Sequence, residues 1–322
     1  MHSDALRPVL IAFASVFAAC TASIAHAGIF RAYLSLSGND ANPCTVQQPC
    51  RLLPAALAAV NDGGEVWMLD SANYNTTTVS ITRSVSILAV PGVVGSVVAN
   101  GGDAITINAA ASNIALRNLT VRPLSGSGTG NGMTIAAVGS LSIDNMVFEN
   151  LNDAVSLSGA AKISIRESVF RHNFSGLSVS QSGGAQETIA VDHASYIENS
   201  VAFSVLANST SGFVRVTIDD SLIRGGGNGN GAAAFGGGVA SAAPVIVTIM
   251  RTKVIGDANG NGISSFGTQT VVTLADCHVS GWAIGGTRTL NGVSGVGTIQ
   301  SLGNNLFVDN GGAEISAKIT PQ

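Results

Sequence analysis

An eight-residue pattern that returns along most of the chain constrains its fold more than any other feature. Residues 114–121, 141–148, 163–170, 189–196, 216–223, 247–254 and 272–279 are seven copies, spaced 22 to 31 residues apart. Each copy opens with alternating apolar and polar residues, the period of a strand that buries one face. The alternation changes phase at a polar residue, Asn118, Asn145, Glu167, His193, Asp220, Arg251 or Asp276. The chain must bend there, and Asn and Asp suit such a bend because they tolerate left-handed backbone angles.

A second short alternating element precedes most copies, opened by Asp103, Asn131, Asp153, Ser175 or Val201; Asn261 continues the series and Asn230 does so weakly. Hairpins would need tight two-residue turns between adjacent strands, whereas these units repeat in one direction with unequal loops. The expected fold is all-β: a single-stranded right-handed parallel β-helix with three short strands per coil and about nine coils, stacked as repeat proteins are. Equivalent residues then lie about 4.8 Å apart along the axis. Ile114, Leu141, Ile163, Ile189, Val216, Val247 and Val272 should form one inward column, and Val121, Phe148, Phe170, Tyr196, Ile223, Val254 and Val279 another. An open coil end exposes strand edges, so a cap is required. A short helix beginning at Pro54 and ended by the Asn61-Asp62-Gly63-Gly64 turn is expected to supply it at the front.

Composition fits this reading. With 46% hydrophobic residues, 11% charged residues and 39 glycines, the chain is neither disordered nor a helical bundle. Fifteen basic and 19 acidic residues are spread without a basic patch, which excludes a nucleic-acid partner. Residues 1–27 read as a signal peptide: Arg7, an apolar run over 9–19, and a small-x-small site at Ala25-His26-Ala27. The mature protein is then secreted or periplasmic and starts near Gly28. A lipoprotein attached at Cys20 is the alternative, because residues 17–20 loosely match a lipobox. No later stretch reaches the roughly 18 apolar residues of a membrane span.

Export favours disulfides, and Cys44 and Cys50 bracket one short loop, so they are expected to pair. Cys277 falls on an inward strand position as a free thiol. The resulting division is signal peptide 1–27, cap with disulfide loop and helix 28–62, β-helix 63–310 and tail 311–322. Nothing in the sequence fixes the oligomeric state.

The order of Ser37-Gly38-Asn39-Asp40-Ala41-Asn42-Pro43-Cys44, Pro49-Cys50-Arg51, the short helix, residues 63–70 and residues 79–88 resembles the opening of bacterial proteins of the pectin-lyase-like β-helix superfamily. The resemblance extends over about residues 30–310 and rests on architectural landmarks, so it implies fold rather than activity. Members include polysaccharide lyases, hydrolases and epimerases, and proteins known only as β-helix repeats. The enzymes usually work on the outer face of one sheet. Here the matching outward column of the leading strand is Thr106, Thr134, Ser156, Ser178, Ser204, Ala234 and Ser264, a row of hydroxyls fit to solvate a sheet or to bind a sugar. Arg122-Pro123 lacks the second arginine of the pectate lyase motif. Asp219-Asp220 and Arg251-Thr252-Lys253 match two polygalacturonase segments, but without the others and on the wrong strand.

One cluster could carry chemistry. Asp192, His193, Asp219 and Asp220 gather at the bend, with Asp192 and Asp219 in equivalent outward positions one rung apart, near the ~5 Å carboxylate spacing of retaining glycosidases. Arg117, Asp144, Arg166 and Asp192 alternate in sign, which equally fits a solvated charge ladder. His172, His193 and His278 stand on separate coils without a paired-ligand spacing, so no metal or other cofactor is expected. The Gly-Asn runs at 225–231 and 256–262 have the small polar makeup of calcium loops but lack their acidic density, so flexible turns are expected. The sequence therefore leaves three readings: a β-helix protein that meets carbohydrate or a cell-surface glycan without a catalytic constellation, a polysaccharide hydrolase or lyase, and an adhesin or structural surface protein.

Overall fold

The computed structural model describes residues 28–125, 130–226, 232–239, 242–287, 295–312, 315 and 317–318; the expected signal peptide, Cys20, and part of the first Gly-Asn run lie outside these. The repeated segments pair side by side in parallel. Leu141–Asp144 runs beside 163–166, which runs beside 189–192, then 216–219, 247–250 and 272–275. The chain is a right-handed parallel β-helix with three strands per coil. Among the described residues, the third strand of each coil joins a narrow sheet of 10 strands, close to the nine coils read from the repeat.

The other two strands form a leading row and a middle row. Both belong to one 19-stranded sheet, because Ile105–Arg117 and Met133–Asp144 run unbroken around the corner between the rows. Ile29–Leu34 already pairs in parallel with Val60–Met68, so the stack begins within the segment expected to be only a cap. The helix spans Leu53–Ala59 and buries Leu53, Ala56 and Leu57. Its first turn lacks a neighbouring side-chain cap. Asp40, just ahead of the disulfide loop, accepts hydrogen bonds from the Arg51 and Leu52 amides that lead into the helix, at 2.9 and 2.7 Å. Cys44 and Cys50 are bonded, and Cys277 is free and buried. Among the described residues, no helix is long and apolar enough to cross a membrane.

All seven residues at the phase change have positive φ, from 41° at Asp220 to 59° at Asn118. Asn and Asp accept this readily, but Glu167, His193 and Arg251 do so at a cost of order 1 kcal/mol or more. Coil stacking holds them in place: the amides of Asn145, Glu167 and His193 donate to the carbonyls of Arg166, Asp192 and Asp219 on the next coil. A second left-handed corner follows the narrow strand, at Asn150, His172, Glu198, Gly225, Gly281 and Asp309. Beside it Asn173 and Asn199 are buried and stacked; Asn173 Nδ2 donates to Asn199 Oδ1 at 2.9 Å, and Asn199 Nδ2 to the Phe170 carbonyl at 2.9 Å. Together they satisfy backbone groups that a corner would otherwise leave unpaired.

Both expected apolar columns point inward and are buried. In the second, Phe148, Phe170 and Tyr196 stack with ring centroids 5.0 and 4.5 Å apart and planes 3° from parallel. The rung spacing imposes this face-to-face arrangement. The Tyr196 hydroxyl sits inside with no hydrogen-bond partner, and burial pushes its pKa far up. Tyr196→Phe is therefore expected to raise stability by about 1 kcal/mol, because it removes an unsatisfied buried hydroxyl and keeps the ring. Urea unfolding of the two proteins measures it, and a loss of stability would show that the hydroxyl has a partner.

Candidate functional site

The outward face of the middle row is built from small residues. Ser86, Ala115, Ser142, Ser164, Ala190, Thr217, Thr248 and Thr273 lie in register on successive rungs. They form a flat floor because none projects far from the strands. A second outward column runs beside it: Trp67, Leu88, Arg117, Asp144, Arg166, Asp192 and Asp219. Each column follows from the two-residue period of its strands.

Two concavities lie across the same strands. One, of about 730 Å³, covers the floor from Ser86 to Ser164, with Asp62, Asn113 and Lys162 along its side. The other, of about 870 Å³, covers the second column from Leu88 to Asp192, and the Pro91-Gly92 turn and His193 help to line it. Within it Asp144 receives Arg166 at 2.9 Å and Arg117 at 3.6 Å. Burial opposes ionisation of Asp144, but hydrogen bonds from Arg166 and Ser142 outweigh it and hold the carboxyl below its ordinary pKa.

The four acid–base candidates occupy neighbouring rungs, and Asp192 is the register partner of Asp219. They divide into two sets. His193 Nδ1 and Asp192 Oδ1 are 2.7 Å apart, and this hydrogen bond raises the imidazole pKa. Asp219 and Asp220 are both engaged by Arg251 of the next coil, Asp220 at 3.1 Å. A guanidinium therefore lies against the second carboxylate pair, while Asp192 and His193 face the larger concavity.

The leading-row hydroxyls Thr106, Thr134, Ser156, Ser178 and Ser204 form one outward column, partly exposed. Two carboxylates beside it, read in the sequence only as openers of the leading strands, are Asp103 and Asp153. Thr134 Oγ1 donates to Asp103 Oδ2 at 2.6 Å. Two coils on, burial raises the Asp153 pKa, hydrogen bonds from Ser175 and Ser178 oppose this, and the charge of Asp103 adds to the rise. Both residues stand three positions ahead of a column hydroxyl, a spacing that could have marked them. Of the second Gly-Asn run, Asn259 reaches the Asp257 carbonyl at 3.5 Å, a local turn contact.

No family model matches the chain, and no curated protein matches it. Solved structures do. A pectate lyase, Pel9A, superposes with a TM-score of 0.56 at 16% identity, over 92% of this chain and 80% of its own. The fold is that of the pectin-lyase-like β-helices. A GH136 lacto-N-biosidase from Eubacterium ramulus (TM-score 0.49, 10% identity, 89% of this chain and 67% of its own) and a rhamnogalacturonan lyase (TM-score 0.46, 10% identity, 89% and 87%) are more distant. At these identities the likeness is one of pectin-lyase-like fold.

Proposed function

We propose that this chain is an exported protein that binds a polysaccharide along the outer face of the middle row. The observation that carries the reading is the pair of concavities side by side over one set of strands, with a floor of small hydroxyl and methyl side chains. Small residues let a long ligand approach the strands closely, and the rungs, about 4.8 Å apart, offer it a hydroxyl on most of them, Ala115 and Ala190 excepted. The pectin-lyase-like fold supports a carbohydrate ligand at the level of architecture alone. Residues 1–27 and the Cys44–Cys50 disulfide support export, because disulfides persist outside the cytoplasm.

Blocking the floor tests this. Ser142→Tyr is expected to weaken binding to a retained polysaccharide at least tenfold in calorimetry against neutral and acidic polysaccharides. Equal weakening by Ser156→Tyr would move the ligand to the leading row. A polysaccharide-active enzyme is the second reading, favoured by the placement of Asp192 and His193 in the larger concavity and the raised imidazole pKa. Release of new chain ends by the wild type, abolished in Asp192→Asn, would establish it. A protein that binds no polysaccharide would instead be an adhesin or structural element.

A further inference from the structure

We infer that the ligand of the middle face is an uncharged glycan and that one of its pyranose rings stacks on Trp67 at the N-terminal end of the face; this rests on the glycan-binding reading above. The first observation is charge. Lys162, Arg117, Arg166 and, when protonated, His193 are the cations lining the two concavities, against Asp62, Asp144, Glu167 and Asp192. Arg117 and Arg166 both pair with Asp144. A uronic-acid chain brings a carboxylate on each sugar and would need a free cation for each one it desolvates. This face has no surplus of cations. An uncharged polyol needs only the hydroxyls and the balanced donors and acceptors that are present.

The second observation is an aromatic group at the end of the face. Trp67 lies one rung before Leu88 in the second outward column and remains partly exposed. Its indole is held from its own rung and the preceding one. The Arg31 guanidinium lies over one face of the ring, 4.1 Å from its centroid, Tyr33 meets the ring edge-on at 6.3 Å, and Nε1 donates to Glu65 Oε2 at 3.1 Å. Glu65 in turn pairs with Arg31 at 2.7 Å. The following rung carries Ser86 and Leu88, one from each concavity.

Such a ring is pre-ordered, so little side-chain entropy remains to be lost on binding. It also couples an apolar surface to polar neighbours. A pyranose matches that combination: its C–H face stacks on the indole face that Arg31 leaves uncovered, and its hydroxyl rim meets Glu65 at the indole edge. The ligand would then run from Trp67 over Ser86, Ala115 and Ser142.

The chain has two tryptophans, and Trp282 is buried, with 1% exposure, and bonded through Nε1 to the Val254 carbonyl. Ligand-induced change in tryptophan emission therefore reports Trp67. Titration with cellohexaose and mannohexaose, beside hexagalacturonate, is expected to give a blue shift with at least one neutral probe and none with the acidic one. Trp67→Ala should weaken that binding at least tenfold in calorimetry, Trp67→Tyr should restore part of it, and circular dichroism should show both variants folded. Tighter binding of hexagalacturonate, or neutral-probe binding untouched by Trp67→Ala, would overturn the inference while leaving the groove. Calorimetry showing no binding of any probe to the wild type would overturn the groove reading itself, and this inference with it.

Discussion

Glu187→Val is expected to stabilise the β-helix by about 3 kcal/mol at pH 7. Glu187 points inward from Gln186–Asp192, fully buried, in register with Ala161, Val214 and Val245. Neither carboxyl oxygen has a hydrogen-bond partner, and the inward Gln181 Oε1 on the preceding strand is likewise unpaired. Desolvation pushes the Glu187 pKa from 4.5 up to about 8. A carboxyl whose folded pKa is raised contributes most below its unfolded pKa, and that contribution is lost as pH rises toward the folded one. The loss is about 1.4 kcal/mol per unit over that window. Valine, the residue on the next two coils, carries no such penalty. Denaturant unfolding from pH 4 to 9 should show the variant's advantage growing up to about pH 8 and levelling above it. An advantage that stays constant with pH would mean that Glu187 has a partner.

The second large effect is expected from Phe170→Ala, a loss of about 4 kcal/mol. Phe170 is the middle ring of the stack and meets Phe148 and Tyr196 at once. Truncation removes both ring contacts and leaves a cavity that neighbouring coils, fixed by their hydrogen-bond ladders, cannot collapse to fill. Phe174, 58% exposed four residues later, supplies the comparison, and Phe174→Ala should change stability by less than about 0.5 kcal/mol. Equal losses in urea unfolding would remove the stack from its place in the core.

The elements legible in the sequence were those with a two-residue period. The apolar columns could be read directly, and the phase change at Asn118, Asn145 and their equivalents marked a left-handed bend even where the residue is Glu167, His193 or Arg251. The second corner was not read, because Asn150, His172, Glu198 and Gly225 share no chemistry and follow strands of only three residues. Glu187 escaped notice because it lies two positions ahead of the repeat copy that starts at Ile189, where the inward alternation continues. The groove was hidden for a different reason. The turns around Asp62-Gly63 and Pro91-Gly92, which no single repeat contains, help to line its two concavities. Trp67 sits in the first coils, before the repeat becomes regular.

A crystal structure of the full mature protein with the tightest-binding oligosaccharide would locate the glycan on the coils. Density running along the middle row over Ser86, Ala115, Ser142 and Ser164, with a sugar ring against Trp67, is the predicted result. Density on the leading row over Thr134, Ser156 and Ser178, with the middle face empty, would contradict it.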